Sequence, residues 1–350
     1  MKNNCPSPAR LILDRDALVS NWKTLDRMGG AATTGAAVKA DGYGLGAADI
    51  VSILYDAGCR DFYVAHWQEA APLLPFLQDA SLSVLNGLMP QDMTNPDLHH
   101  PCVKPVLNSM AQVEKWIGAG AGRCDVMVDT GMNRLGLPMN EIDNVMLEQL
   151  DIDVCMSHLA SADEDIPQNT AQLDNFSIAR SAIKARRYSL ANSAGIALGE
   201  DYHFDLTRPG LALYGGIARA ELKTDIRPVV SLEAIVLQVR DLKAGDQVGY
   251  NAKFTADRTM RIATCALGYA DGYLRAFAGN GEMLLDGQRL PVLGRISMDL
   301  IAVDISNIEA LQEGDMVKCS YDLQKSAAAT GLSQYELLTN LGGRFDRVWR

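Results

Sequence analysis

Ala37-Val38-Lys39-Ala40-Asp41-Gly42-Tyr43-Gly44-Leu45-Gly46 begins apolar, turns on a lysine and then runs into closely spaced glycines. Ala36–Lys39 reads as a short buried strand, and Leu45–Ala57 carries apolar residues at helical spacing. The stretch is therefore strand, tight turn and helix, the repeating unit of a parallel α/β fold. An ammonium at the end of an apolar strand is costly to bury without a partner. A desolvated lysine loses proton affinity and becomes a nucleophilic amine suited to Schiff-base formation. The same residue can instead snorkel at a barrel rim with its head in water. The glycines by themselves are weak evidence for a phosphate site.

Working outward, short apolar runs recur at Phe62–Ala65, Leu82–Leu85, Val103–Leu107, Val126–Asp129, Val154–His158, Tyr188–Ala191 and Phe204–Leu206. Helix-compatible segments lie between them, including Met110–Gly118, Met139–Leu150 and Gln168–Arg186. Eight strands, each followed by a helix, predict a (β/α)8 barrel over residues 1–225. The third and fourth units carry the weakest pattern, because Asp92–Pro101 is a loop containing Pro and His. The strands exit on Lys39, His66, Asn86, Asn108, Asp129, His158, Asn192 with Ser193, and Thr207 with Arg208. Any one polar exit is unremarkable in a barrel. Together they supply what a lined pocket at the C-terminal strand ends requires.

After about Ala220 the texture changes. Val229–Asp241, Met260–Cys265, Glu282–Leu285, Leu290–Leu293, Leu300–Asp304 and Asp315–Ser320 are short, often alternating runs broken by turn signals. They predict an all-β domain over residues 226–350, with a helical segment at Leu332–Leu341. A first strand at about 10–14 is a candidate to join it. No repeat, low-complexity tract or flexible linker is present, so the two regions are expected to pack tightly.

The chain has 350 residues, which suits about two domains. Its net charge of -11 argues against nucleic acid, which needs clustered Lys and Arg. The seven cysteines are scattered without a C-x-x-C pair, and read as reduced, mostly buried thiols rather than disulfides or a zinc site. The remaining histidines (His66, His99, His100 and His203) lack metal-ligand spacing, so no metal is expected. The N-terminus lacks a signal-peptide apolar stretch, and no run reaches the length of a membrane span. A cytoplasmic enzyme without a membrane partner is the expectation. Tyr250 reads either as a residue at the pocket entrance or as a half-buried strand aromatic.

Phosphate is better served by the loops after strands seven and eight, the usual phosphate-binding loops of this fold. Here they read Asn192-Ser193-Ala194-Gly195 and Arg208-Pro209-Gly210-Leu211. Small residues, a hydroxyl and free backbone N–H groups make an oxyanion cradle. They serve equally well for capping and turning. Arg208 suits either a phosphate or a cofactor ring nitrogen.

Seven motifs in order, AVKADGYGLGA, VDTGMNRLG, SHLASAD, ANSAG, RPGLALYG, GYADGY and GRISMD, span Ala37 to Asp299. The ordered set resembles the alanine racemase family, and the chain fits that family's length and two-domain layout. The resemblance implies a pyridoxal-5'-phosphate (PLP) enzyme acting on a small amino acid, with Lys39 as Schiff-base lysine and one catalytic base. It implies a homodimer with shared sites, in which the partner subunit's Tyr269 is the second base. Arg134 would grip the substrate carboxylate, helped by the backbone N–H of Met298 of the partner subunit. Tyr43, Asn192, Ser193, Gly210 and Leu211 would hold the cofactor, with all but Asn192 at its phosphate. Arg208 would face the pyridine nitrogen, and His158 would link Arg208 to the partner subunit's Tyr269. Asp163 resembles a residue of the channel leading to the site.

Racemisation removes the Cα proton from one face and returns it on the other, so two bases must flank the substrate. A phenol titrates near pH ~10, and a hydrogen-bonded chain to a cationic arginine favours its ionised form. An arginine at the ring nitrogen does not readily give up a proton, which leaves the ring a weaker electron sink and disfavours transamination. An amino-acid decarboxylase of the same fold fits less well, because such enzymes generally want an acidic group there. A non-catalytic PLP carrier would resemble the barrel alone, without the domain bearing Tyr269. A broad-specificity amino-acid racemase remains the nearest alternative. Three positions depart from the commonest family pattern. Met127 stands where many members have a carbamylated lysine, Ser189 where many have a histidine, and Gly343 where some have a phosphate-contacting tyrosine.

Overall fold

The computed structural model describes residues 6–120 and 122–350, so the sequence position Cys5 lies outside the described residues. Two compact units divide the chain: Ala17–Arg227, and Met1–Asp16 together with Pro228–Arg350.

In the first unit a parallel path runs through Ala36–Ala37, Asp61–Val64, Ser81–Val84, Val103–Leu107, Arg123–Asp129, Asp151–Met156 and Arg187–Ser189. Leu206–Thr207 pairs with Thr33–Thr34, just upstream of Ala36, in the same parallel sense. The Asp205 N–H bonds the Tyr188 carbonyl at 3.0 Å and the Arg208 N–H bonds the Ala191 carbonyl at 2.9 Å, which closes the ring. The strands are buried almost throughout, as expected when both faces of a parallel sheet are covered. Near the strand starts the interior is ionic. Lys104 pairs with Asp153 and lies 3.3 Å from Asp125, while Arg187 forks onto Asp61 at 2.8 Å twice and reaches Asp153 at 3.1 Å. The opposite charges in this cluster offset one another's desolvation. The opposite rim, where the strands end, is left for the site.

Helices Ala47–Ala57 and Met110–Gly118 form as their patterns predict. Ala47, Ile50, Val51 and Leu54 bury one face of the first. The Ser109 hydroxyl caps the second by accepting from the Gln112 N–H. Pro167–Ala182 follows the sixth barrel strand, starting on a proline whose missing N–H costs nothing there. Three expectations are corrected. Met139–Leu150 is two short 3-10 turns, Met139–Glu141 and Val145–Gln149, because Asn144 turns its side chain onto the Met146 N–H and interrupts the helix. The third strand is likewise followed by 3-10 turns, Pro90–Thr94 and Pro96–His99, so the barrel does not have a helix after every strand. Lys39 does not end a strand. The pairing stops at Ala37, and Lys39 opens a short left-handed turn.

The second unit is an antiparallel module. Met260–Cys265, Ile301–Asp304, Gln288–Leu293, Glu282–Leu285, Met316–Cys319 and Val230–Leu242 pair in that order. The last of these also pairs with the first, so the six strands close on themselves. Val230–Leu242 can serve both neighbours because a bulge between Val236 and Gln238 bends it. Ala9–Leu13 adds to Val230–Leu242 antiparallel, and Asp346–Trp349 adds to Ala9–Leu13 parallel. Leu242, Val248, Ala256, Met260, Ile262 and Leu293 make a core within this module. The helical segment near the C-terminus is Gln334–Thr339, preceded by a helix at Leu323–Thr330 that the pattern did not announce. Tyr250 is corrected too: it lies 69% exposed in a 3-10 turn rather than half-buried in a strand.

Candidate active site

The predicted site residues fall into two groups, one on each unit. On the barrel, Lys39 begins a turn in which Ala40, Asp41, Gly42 and Tyr43 all have φ between 54° and 62°. Left-handed backbone costs an L-residue about 1–2 kcal/mol, so something must impose it. Here the Ala40 N–H bonds Glu69 Oε1 at 2.7 Å, Asp41 Oδ1 accepts from the Ala47 N–H at 2.9 Å, and the Gly42 N–H reaches the Val38 carbonyl at 2.8 Å. Glu69 also takes the Ala65 N–H at 2.7 Å, tying the turn to the exit of the next strand. Lys39 is thereby set at the rim, half-buried. Burial lowers its pKa first of all and the Arg134 guanidinium next; Glu69 pulls the other way, and Arg208 adds to the lowering. An amine of depressed pKa among cations is a competent nucleophile and base.

Arg208 is buried at the end of its strand. One N–H goes to the Ser189 hydroxyl, another to the Ser157 carbonyl, and Ser189 passes its own proton to the Leu206 carbonyl. Its partners are thus neutral acceptors. His158 sits beside it. Burial, then Arg208, Lys39 and Arg134, push the imidazole down to about 3, so it is neutral at physiological pH. The charges acting on Lys39 and on His158 come from the same arginines, which gathers all four side chains around one space.

The loops after strands seven and eight meet here. The Ser193 hydroxyl accepts from the Gly210 N–H at 2.9 Å and the Ala212 N–H at 3.2 Å. Both bonds use its lone pairs, so its own hydrogen remains to be donated. Asn192 caps the short helix Ser193–Ala197 through the Gly195 N–H at 2.9 Å. Gly210 is a close-approach position: a Cβ there would collide with the Tyr43 hydroxyl. The Tyr43 ring packs at a tilt, centres 4.7 Å apart, on Tyr214, whose hydroxyl is fixed to the Ala37 carbonyl at 2.7 Å. Leu211 opens the 3-10 turn that follows. The Ser193 hydroxyl hydrogen and the Tyr43 hydroxyl therefore meet at a position that Gly210 keeps free of bulk, an arrangement that fits a phosphate ester.

Arg134 lies on a loop whose entry is fixed by Asp129. Asp129 Oδ1 accepts the N–H groups of Gly131, Met132 and Asn133 at 2.9 to 3.0 Å. Thr130 is held by the Ser157 hydroxyl at 2.8 Å and by Gln172 at 3.2 Å, and Gln172 also bonds the His158 carbonyl at 3.0 Å. Met127 is buried two residues before this loop, on the same strand. Glu69 and Gln172 were not singled out in the sequence. Glu69 acts through backbone N–H groups and Gln172 largely so, which no residue-type pattern reveals.

The second group belongs to the antiparallel unit. Tyr269 opens the 3-10 turn Tyr269–Asp271, and Met298 lies on a loop laid against it. The Tyr269 N–H bonds the Ser297 carbonyl at 3.1 Å, and the Ala270 N–H bonds the Met298 carbonyl at 3.0 Å. The Arg275 guanidinium covers the Tyr269 ring at 4.8 Å from its centre.

Of the other histidines, His66 Nδ1 faces the Asn86 amide at 3.2 Å, and His203 is buried on the Ile196 carbonyl at 2.8 Å. His99 stacks on Trp116 with ring centres 5.8 Å apart.

Comparison with known proteins agrees in both sequence and fold. The profile of the alanine racemase N-terminal domain matches residues 13–218, and that of the alanine racemase C-terminal domain matches residues 229–349. A biosynthetic alanine racemase of Agrobacterium fabrum is 40% identical over 98% of this chain and 94% of its own. A catabolic alanine racemase of the same organism is 42% identical over 97% and 91%. The crystal structure of alanine racemase from Bartonella henselae, which carries covalently bound pyridoxal phosphate, superposes with a TM-score of 0.91 at 36% identity, covering 99% of this chain and all of that one. The chain belongs to the alanine racemase family.

Proposed function

We propose that Lys39 and Tyr269 are the two bases with which this PLP-dependent isomerase interconverts L-alanine and D-alanine. Membership of the family across both domains carries the reaction and the cofactor. The assignment of residues rests on one observation above the others: a lysine of lowered pKa is held at the barrel rim among Arg134, Arg208 and His158.

When bound, PLP supplies an aldehyde for amines to condense with and a conjugated ring that draws electron density from the substrate Cα. Everything else falls to the chain. Tyr43, Ser193, Gly210 and Leu211 hold the phosphate, with Asn192 fixing the loop. Arg208, remaining cationic, would face the ring nitrogen and keep it from gaining a proton. Arg134 and the backbone N–H of Met298 orient the substrate carboxylate. Lys39 Nζ takes or returns the Cα proton on one face, and the Tyr269 hydroxyl oxygen does so on the other. Neutral His158, with one acceptor and one donor nitrogen, would accept from Arg208 and donate to the Tyr269 oxygen, and so relay the influence of the arginine to the phenol.

The same reading makes the enzyme a homodimer, with Tyr269 and Met298 contributed by the partner and the functional division falling at 225/226. It places the enzyme in the cytoplasm. Buried free thiols at Cys59, Cys124, Cys155, Cys265 and Cys319 suit a reducing compartment. No helix among the described residues is long and apolar enough to cross a membrane.

Borohydride treatment of the purified PLP-loaded protein followed by peptide mapping is the test. A pyridoxyl adduct on Lys39 is expected, together with racemisation of either alanine enantiomer by chiral chromatography. An adduct on another lysine would remove the central assignment. Faster turnover of L-serine or L-lysine than of alanine would replace the substrate by the broader class.

A further inference from the structure

Asp271 and Asp299 flank the two elements just assigned to the reaction, and one side chain reaches both. Arg344 Nε lies 3.1 Å from Asp271 Oδ1, and its Nη1 donates to Asp299 Oδ1 at 2.7 Å. Asp271 is buried, and its other oxygen accepts the Gly268 N–H at 2.9 Å, which closes the Tyr269 turn. Asp299 directly follows Met298. Gly268 lets the two strips of backbone touch, since a Cβ at that position would run into the Met298 carbonyl. Arg344 is itself anchored. Its carbonyl accepts from the Ser7 hydroxyl at 2.6 Å, and the Gly342 N–H bonds the Asp271 carbonyl at 3.2 Å.

We infer that Arg344 is a positioning residue: by bridging Asp271 and Asp299 it locks the turn that presents Tyr269 to the loop that presents Met298. A planar guanidinium holds two carboxylates at fixed angles, whereas an ammonium that contacts two imposes no such plane. The base and the carboxylate donor then move as one body, and the distance between the Cα proton and the phenol oxygen is set by Arg344. Displacements of about 1 Å in such geometry cost up to about 100-fold in rate. The inference rests on the roles proposed above for Tyr269 and Met298.

The test compares the PLP-loaded Arg344→Ala, Arg344→Lys, Asp299→Asn and Tyr269→Phe enzymes, using L- and D-alanine with and without deuterium at Cα. Arg344→Ala is expected to lower kcat/KM about tenfold or more and to raise KM. It should also enlarge the isotope effect for the enantiomer whose proton goes to Tyr269, with the visible absorption of the bound cofactor unchanged. Arg344→Lys should recover only part of the loss. Asp299→Asn removes the charge from one arm without orphaning Asp271, so it gives a smaller change of the same pattern even if Arg344→Ala does not fold. Wild-type KM and isotope effects in Arg344→Lys and Asp299→Asn would overturn the inference. So would a uniform fall in kcat alone, the sign of a merely less stable protein. Full activity in Tyr269→Phe would instead bring down the assignment of the base. An inactive Tyr269→Phe beside indifferent Arg344 variants would bring down the inference by itself.

Discussion

Arg208 donates to the Ser189 hydroxyl, and Ser189 hands its own hydrogen on to the Leu206 carbonyl, so a buried cation rests on a neutral oxygen that is satisfied in turn. The Ser157 carbonyl is the other partner. Burial favours loss of the charge, which Tyr63 and Asp125 oppose from further off. Ser189 thus holds the arginine with a side chain that cannot become charged.

Ser189→Ala should therefore cost about 1–3 kcal/mol, because it leaves a buried guanidinium N–H without an acceptor. Denaturant unfolding of the wild-type and variant proteins measures it. Activity should fall as well, since Arg208 is then free to leave the ring nitrogen. A Ser189→Ala enzyme with unchanged stability and unchanged rate would mean that Arg208 has another acceptor.

Arg134→Lys should lower kcat/KM about 10- to 100-fold, the value of a charge-assisted bond of about 1.5–3 kcal/mol. The bound cofactor's absorption should stay as it is, because Asp129 fixes the loop through backbone N–H groups that the substitution does not touch. Normal steady-state kinetics in this variant would end the carboxylate role.

Much of this arrangement was legible in the residues, and the limits have physical causes. Met260–Cys265 and Glu282–Leu285 alternate or cluster apolar residues as strands do, and they form where expected. Lys39, Asp129, His158 and Arg208 were visible as ionisable groups at strand exits. The left-handed turn at 40–43 was not visible, because Ala and Tyr do not favour it. It is held in part by Glu69, a residue distant in sequence. Met139–Leu150 misled for the opposite reason: its apolar residues suit a helix, but the Asn144 side chain competes for the backbone. The support of Arg208 by Ser189 depends on which serine the barrel brings alongside, and only the closed ring of strands decides that.

His158 gives a prediction in pH. Its pKa falls from 6.5 in the unfolded chain to about 3 in the folded one, so the unfolded chain takes up the proton first. The stability contributed by the neutral ring is present above about pH 6.5 and is lost as pH falls towards about 3, by at most about 1.4 kcal/mol per pH unit. His158→Gln removes this titration. The wild type minus variant difference in unfolding free energy should therefore decline as pH drops from 6 to 4. A flat difference over that interval would show that the imidazole accepts a proton in the folded protein.

The composite site makes the sharpest demand. If each pocket takes Lys39 from one chain and Tyr269 from the other, Lys39→Ala and Tyr269→Ala homodimers should both be nearly inactive. Co-expressing the two variants creates heterodimers. One pocket of each heterodimer then lacks both bases, while the other has both restored. Random pairing makes about half of the dimers mixed, so about a quarter of all pockets should work, by the counting that two-fold symmetry imposes. Differential tags on the two variants isolate the mixed species, in which about half of the pockets should be active and borohydride should label only the chain that keeps Lys39. Isolated heterodimers that do not racemise alanine would place both bases in one chain. The shared site, and the assignment of Tyr269 and Met298 to the partner, would then be abandoned.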